Sequence, residues 1–91
     1  MLGSAAMALL RVSVLYFAGL RDAVGLAEET IELPSPVQTV GALCDHLAAR
    51  HRAYAEHRPA VRVARNEAFA SDDDRLDDGD VIALIPPVAG G

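Results

Sequence analysis

Gly90 and Gly91 stand last in the 91-residue chain, directly after Pro86-Pro87-Val88-Ala89. A carboxylate on two residues without side chains is a slim probe, and glycine reaches backbone conformations closed to other residues. Such a tail enters a channel that a bulkier one would block. Six residues from Pro86 to Gly91, fully extended, reach about 20 Å. The other chemistry-bearing residues form weaker sets. Cys44 is the single cysteine, so no internal disulfide forms, and its helical spacing reads as a small core residue. His46, His51 and His57 are five and six residues apart, which puts no pair on one helix face, and no metal site is expected. Asp72-Asp73-Asp74 and Asp77-Asp78-Gly79-Asp80 lack the spacing and closing glutamate of a calcium loop and read as solvated acidic turns. No glycine-rich phosphate loop and no Ser/His/Asp set is present.

The elements that must hold the tail are few. Ninety-one residues make one small domain with one thin core, too shallow for a deep enzymatic pocket of its own. Thirteen acidic against eight basic residues, all arginine, give a net charge of −5. That excludes nucleic-acid binding, which rests on neutralising phosphates, and fits a partner with a basic surface. The lone cysteine is compatible with a reducing, cytoplasmic setting. Arg11 interrupts the apolar N-terminal stretch, no basic segment precedes it, and no run approaches a membrane span. Residues 1–9 are expected to form a poorly ordered extension and residues 10–91 a single domain whose tail begins at Pro86.

Alternation over Leu10–Phe17 predicts a strand with Val12, Val14 and Tyr16 on one face and Arg11, Ser13, Leu15 and Phe17 on the other. Ala18–Ala27, with Gly19 and Gly25, reads as a loop. Glu28–Leu33 alternates again, pairs as a hairpin with the first strand, and stops at Pro34 and Pro36. Thr39 is the expected N-cap of a helix whose buried stripe is Val40, Leu43, Cys44, Leu47 and His51. Tyr54–Pro59 reads as polar connection, Val61–Arg65 as a third strand, and Asn66–Phe69 as a turn with a short edge piece. Asp77–Asp80 is a tight turn into a last, wholly apolar strand, Val81–Ile85, as expected at a sheet centre. Pairing the first and last strands at that centre gives an α+β, β-grasp arrangement: a small mixed sheet with one main helix on one face. The expected helix-covered face carries Val81, Ala83 and Ile85. That leaves Leu15, Phe17, Ile82 and Leu84 as an exposed apolar patch of the kind that marks an interaction site.

The Leu76-Asp77-Asp78-Gly79-Asp80 turn, the apolar strand and the Pro-Pro-Val-x-Gly-Gly end together resemble the MoaD family, the small subunit of molybdopterin synthase, a ubiquitin-like sulfur carrier. Val14 to Gly25 (VLYFAGLRDAVG) resembles that family's opening strand and arginine-acidic loop. The resemblance covers Leu10 to Gly91. It implies that an E1-like, MoeB-like enzyme uses ATP to adenylate Gly91, and that a sulfur-donor enzyme then displaces AMP to leave a thiocarboxylate. The resemblance further implies docking on a MoaE-like large subunit in a heterotetramer. That subunit holds the active site where the sulfur passes to cyclic pyranopterin monophosphate in molybdenum cofactor biosynthesis. This chain is then a non-catalytic, sulfur-donating subunit that binds no cofactor. Gly91 carries the adenylate and the sulfur, and Gly90 gives clearance. Pro86, Pro87 and Val88 line the tail's entry, Phe17 and Leu84 anchor the docked face, and Arg21 is either a partner contact or a surface ion pair. Alternatives with the same tail are a ThiS-like carrier for thiamine thiazole or another thiolation pathway, and a ubiquitin-like protein modifier. A β-grasp binding module with a passive tail is the remaining one.

Overall fold

The computed structural model describes residues 9–34 and 38–87. Its elements run β1 (Leu9–Tyr16), α1 (Ala18–Val24), β2 (Glu28–Pro34), α2 (Val40–Arg50) and α3 (Arg52–His57). A 3-10 turn (Arg58–Ala60) then leads into β3 (Arg62–Arg65), β4 (Ala68–Phe69) and β5 (Val81–Ile85). The sheet order is β2-β1-β5-β3-β4. Central β5 runs parallel to β1 and antiparallel to β3, while β1 and β2 form the expected antiparallel hairpin. This is the β-grasp arrangement. Of the N-terminal extension only Leu9 is described, and it already belongs to β1.

Alternation in β1 buries Leu10, Val12, Val14 and Tyr16 against the helices. Thr39 caps α2 by accepting a hydrogen bond from the Ala42 amide at 3.1 Å, which contributes about 1 kcal/mol. The next amides of that first turn, Val40 and Gly41, donate to the carbonyls of Asp74 and Asp72. A side chain on Gly41 would meet Asp72 Cβ at 3.0 Å, so glycine here permits the acidic loop to pack on the helix start. Val40, Leu43, Cys44 and Leu47 are buried along the predicted stripe. Each such aliphatic side chain stabilises by roughly 1.5–3 kcal/mol. Burial also pushes the Cys44 thiol above its ordinary pKa, as befits a core residue.

Three expectations change. Ala18–Ala27 is not a loop: α1 occupies most of it, burying Leu20, with Gly25 at φ 88° as its left-handed C-cap. Tyr54–Pro59 is not plain connection either, since α3 inserts Tyr54 into the core with 1% of its surface exposed. The third is the facing of β5. Ile82 and Leu84 pair with Val14 and Tyr16 and are wholly buried, whereas Val81, Ala83 and Ile85 turn away from the helices.

Candidate functional site

The tail leaves the sheet at Ile85, and Pro86 and Pro87 are its described root. Val88, Gly90 and Gly91, the remaining expected tail residues, lie outside the described residues. Two apolar grooves flank the root. One, of about 470 Å³, opens toward α1 and is lined by Phe17, Leu20, His57, Ile85 and the two prolines. The other, of about 360 Å³, opens toward the 3-10 turn, between the prolines and Glu56, His57, Pro59 and Ala60. His57 borders both. Phe17, expected to anchor the docked face, is 45% exposed on the first groove's rim, beside Pro86 and Pro87.

The turn that places Phe17 is strained. Phe17 itself is extended, but Ala18 sits at φ 51°, in the left-handed region that disfavours a Cβ. The chain thereby reverses from β1 into α1, and the Leu20 and Arg21 amides both donate to the Phe17 carbonyl. Arg21 is exposed and makes no ion pair among the described residues.

Leu84 does not anchor a docking face. It is fully buried in the core, because the parallel register puts it beside Tyr16. The far face exists with other members. Directly paired residues share a face of the sheet, so the row Leu15, Ala83, Ala64 and Phe69 runs across it, with Ile85 and Arg62 above and Ser13 and Val81 below. Phe69 is 61% exposed, and the Arg62 guanidinium lies 3.8 Å over its ring. Phe69 escaped sequence reasoning, and the signal that could have found it was its pairing parity with Ala64 across the Asn66-Glu67 turn.

The acidic turn before β5 is a clamp rather than a solvated loop. Asp80 is 5% exposed. Its Oδ2 accepts from Arg65 Nε at 2.6 Å and from the Asp77 amide at 2.8 Å, and its Oδ1 accepts from Asn66 Nδ2 at 2.9 Å. Burial alone would raise the Asp80 carboxyl, but hydrogen bonds from the Asp77 amide, Asn66 and Arg65 outweigh it, and the carboxyl lies below its ordinary pKa. The same turn is tied to β1: the Arg11 amide donates to Asp78 Oδ1, and the Gly79 amide donates to the Arg11 carbonyl. Gly79 meets the turn's need for positive φ at 89°. β5, and hence the tail root, is therefore fixed at its start from both neighbouring strands.

A second polar knot fixes the other end of the hairpin. Glu29 accepts from the Tyr16 hydroxyl at 2.6 Å and from Arg50 Nε at 3.2 Å, and its Oε2 lies 2.6 Å from His51 Nε2. Here too burial would raise the carboxyl, but the hydrogen bonds from Tyr16 and His51 and the charges of His51 and Arg50 bring it below its ordinary value. His51, expected on the apolar stripe, thus lies at its polar end, packed edge-on against Tyr16. Among the described residues no group of three or more potential ligands could hold a metal ion.

Known proteins agree with this geometry. The ThiS family matches residues 14–91. The molybdopterin synthase sulfur carrier subunit of Escherichia coli is 38% identical over 82 residues, covering 88% of this chain and 99% of that one. Among solved structures, the putative molybdopterin converting factor subunit 1 of Pyrococcus furiosus is 36% identical, with a TM-score of 0.78 over 87% of this chain and 99% of that one. SAMP1 from Haloferax volcanii is 29% identical, with a TM-score of 0.79 over 89% of this chain and 99% of that one. The chain belongs to the ThiS family and, within it, to the molybdopterin synthase sulfur carrier subunits.

Proposed function

We propose that this chain is the sulfur carrier subunit of molybdopterin synthase and that it works through the carboxyl group of Gly91. The observation that carries this reading is the family match through residue 91, which joins the tail to a root standing free of the sheet between two apolar grooves. An E1-like partner joins the Gly91 carboxylate to the α-phosphate of ATP and releases pyrophosphate. A persulfide of the sulfur donor attacks the resulting acyl carbon and AMP leaves; a thiol then attacks the donor-side sulfur of this acyl disulfide, which leaves the thiocarboxylate on Gly91 and a disulfide on the donor. On the large subunit the sulfur attacks an oxygen-bearing carbon of cyclic pyranopterin monophosphate, the carbon–oxygen bond there breaks and the oxygen leaves, and hydrolysis of the acyl–sulfur bond leaves the sulfur on the pterin and restores the carboxylate. The large subunit supplies the catalytic groups. The far-face row around Phe69 and Leu15, with Phe17 at the tail root, is the surface that docks on it. Arg21 meets an acidic group of a partner.

The experiment is co-purification from a native host with the large subunit and the adenylating enzyme, followed by intact mass of this chain. The reading requires oxygen-for-sulfur exchange confined to the C-terminal peptide, consumed on adding the pterin precursor. Loss of the sulfur to a thiazole precursor would instead assign the chain to thiamine synthesis. The likeness to SAMP1, a small archaeal modifier protein, favours a second reading, in which the activated tail also acylates amines of other proteins. That reading requires thiol-resistant conjugates of higher mass in the same extract.

A further inference from the structure

β5 is a central strand, and a central strand normally continues for as long as both neighbours offer partners. Here it stops on both sides within one residue, at Tyr16 paired with Leu84 and at Arg62 paired with Ile85. The hydrogen-bond register shows what stands in the next rungs. On the β1 side the Ser13 amide donates to the Asp80 carbonyl. In a parallel ladder the bonds recur every second residue, so the carbonyls of Ser13, Leu15 and Phe17 face the amides of positions 82, 84 and 86. On the β3 side the Asn66 amide donates to the Val81 carbonyl. Antiparallel hydrogen-bonded pairs also recur every second residue, giving 64 with 83, 62 with 85, and then 60 with 87. Position 86 is therefore the next donor toward β1, and position 87 the next donor toward β3. Both are proline, which has no N–H.

We infer that Pro86 and Pro87 are positioning residues that form a two-sided stop: each deletes the one donor that would carry β5 into another rung with one neighbour. The tail then leaves the sheet instead of zipping onto it. The flanking structure agrees. The Phe17 carbonyl, which position 86 would have engaged, instead accepts from Leu20 and Arg21. Ala60, which position 87 would have engaged, belongs to the 3-10 turn and faces the prolines across the second groove. The two grooves beside the root are the gaps where those rungs would have been. The role in delivery, though not the stop itself, rests on the sulfur-carrier reading above, because only a tail that must enter a partner gains from being kept off its own sheet.

The test uses the full-length chain with Pro86→Ala, Pro87→Ala and the double substitution. Two quantities are measured: amide hydrogen exchange at positions 86 and 87, and steady-state adenylation by the E1-like enzyme. A tail that spends most of its time zipped is unavailable by the same fraction in both experiments. In the double variant the introduced amide at position 87 is expected to exchange about tenfold more slowly than an open chain, with less protection at position 86, and KM for adenylation to rise by about the same factor with kcat unchanged. The single Pro87→Ala variant is expected to show more protection than Pro86→Ala, since the Phe17 carbonyl is already filled. Open-chain exchange at both positions in a folded double variant would overturn the inference, and so would an unchanged KM. If the wild-type chain is not adenylated at all, the sulfur-carrier reading fails, and the exchange measurement still decides the stop.

Discussion

Replacing Asp80 with asparagine removes one charge from the turn that launches β5 and changes almost no volume. Three donors converge on the wild-type carboxylate: Arg65 Nε, the Asp77 amide and Asn66 Nδ2. An asparagine offers a single acceptor oxygen, so its own N–H₂ must face at least one of those donors. The loss includes at least one charge-assisted hydrogen bond, worth about 1.5–3 kcal/mol. It stays below the roughly 3–5 kcal/mol of a fully buried broken pair, because Arg65 is partly exposed and keeps Asp77 at 2.9 Å. The expected destabilisation is about 2–3 kcal/mol, or a fall in Tm of about 10–20 °C for a domain this size. Urea denaturation at neutral pH measures it. The pH dependence gives a second check with a fixed sign. The folded Asp80 carboxyl lies below its ordinary pKa, so its contribution is complete above about pH 4 and is lost as pH falls through the folded value. The gap between wild type and variant must therefore narrow in acid. A destabilisation under about 0.5 kcal/mol at pH 7, or a gap that widens in acid, would refute the clamp.

Four further substitutions probe other parts of the structure. Glu29→Gln, which leaves Tyr16, Arg50 and His51 facing a neutral amide, is expected to cost about 1–3 kcal/mol in urea denaturation. Because the Glu29 carboxyl is also lowered on folding, that cost is expected to vanish as pH falls below about 4. Ala18→Gly relieves a left-handed backbone worth about 1–2 kcal/mol against about 0.5–1 kcal/mol of added chain entropy, so thermal melts should show no loss or a gain of up to about 1.5 kcal/mol. Leu84→Ala is expected to cost about 3–5 kcal/mol in folding, whereas Phe69→Ser should cost under about 1 kcal/mol and instead weaken capture by the large subunit in calorimetry.

Strong periodicity made most of the fold legible. β1, β2 and α2 carry clean two- and 3.6-residue patterns and a capping threonine, and they stand where the sequence places them. The failures have physical causes. Gly19 and Gly25 look like breakers, yet Gly25 is the left-handed cap that ends a helix, and α1 buries only Leu20, too little to announce itself. α3 likewise rests on one buried residue, Tyr54, in an otherwise polar stretch. Val81–Ile85 is apolar throughout, so it holds no alternation from which to choose a face. Only pairing with β1 decides that Ile82 and Leu84 go inward, and that misplaced Leu84 in the docking surface. Asp80 could not be told from the acidic residues around it, because what separates them is the position of Arg65 and Asn66 on another strand and turn. The tail root was legible for a simpler reason: two adjacent prolines after an apolar strand restrict the backbone wherever they occur.

The central claim is that sulfur leaves this chain from Gly91. The most direct measurement loads the purified chain with labelled sulfur through the adenylating enzyme and donor, then adds the large subunit and cyclic pyranopterin monophosphate. Label is expected only on the C-terminal peptide, and it is expected to pass to the pterin as the chain returns to its unmodified mass. Label found elsewhere on the chain, or a loaded chain that keeps its sulfur in the presence of both partners, would contradict it.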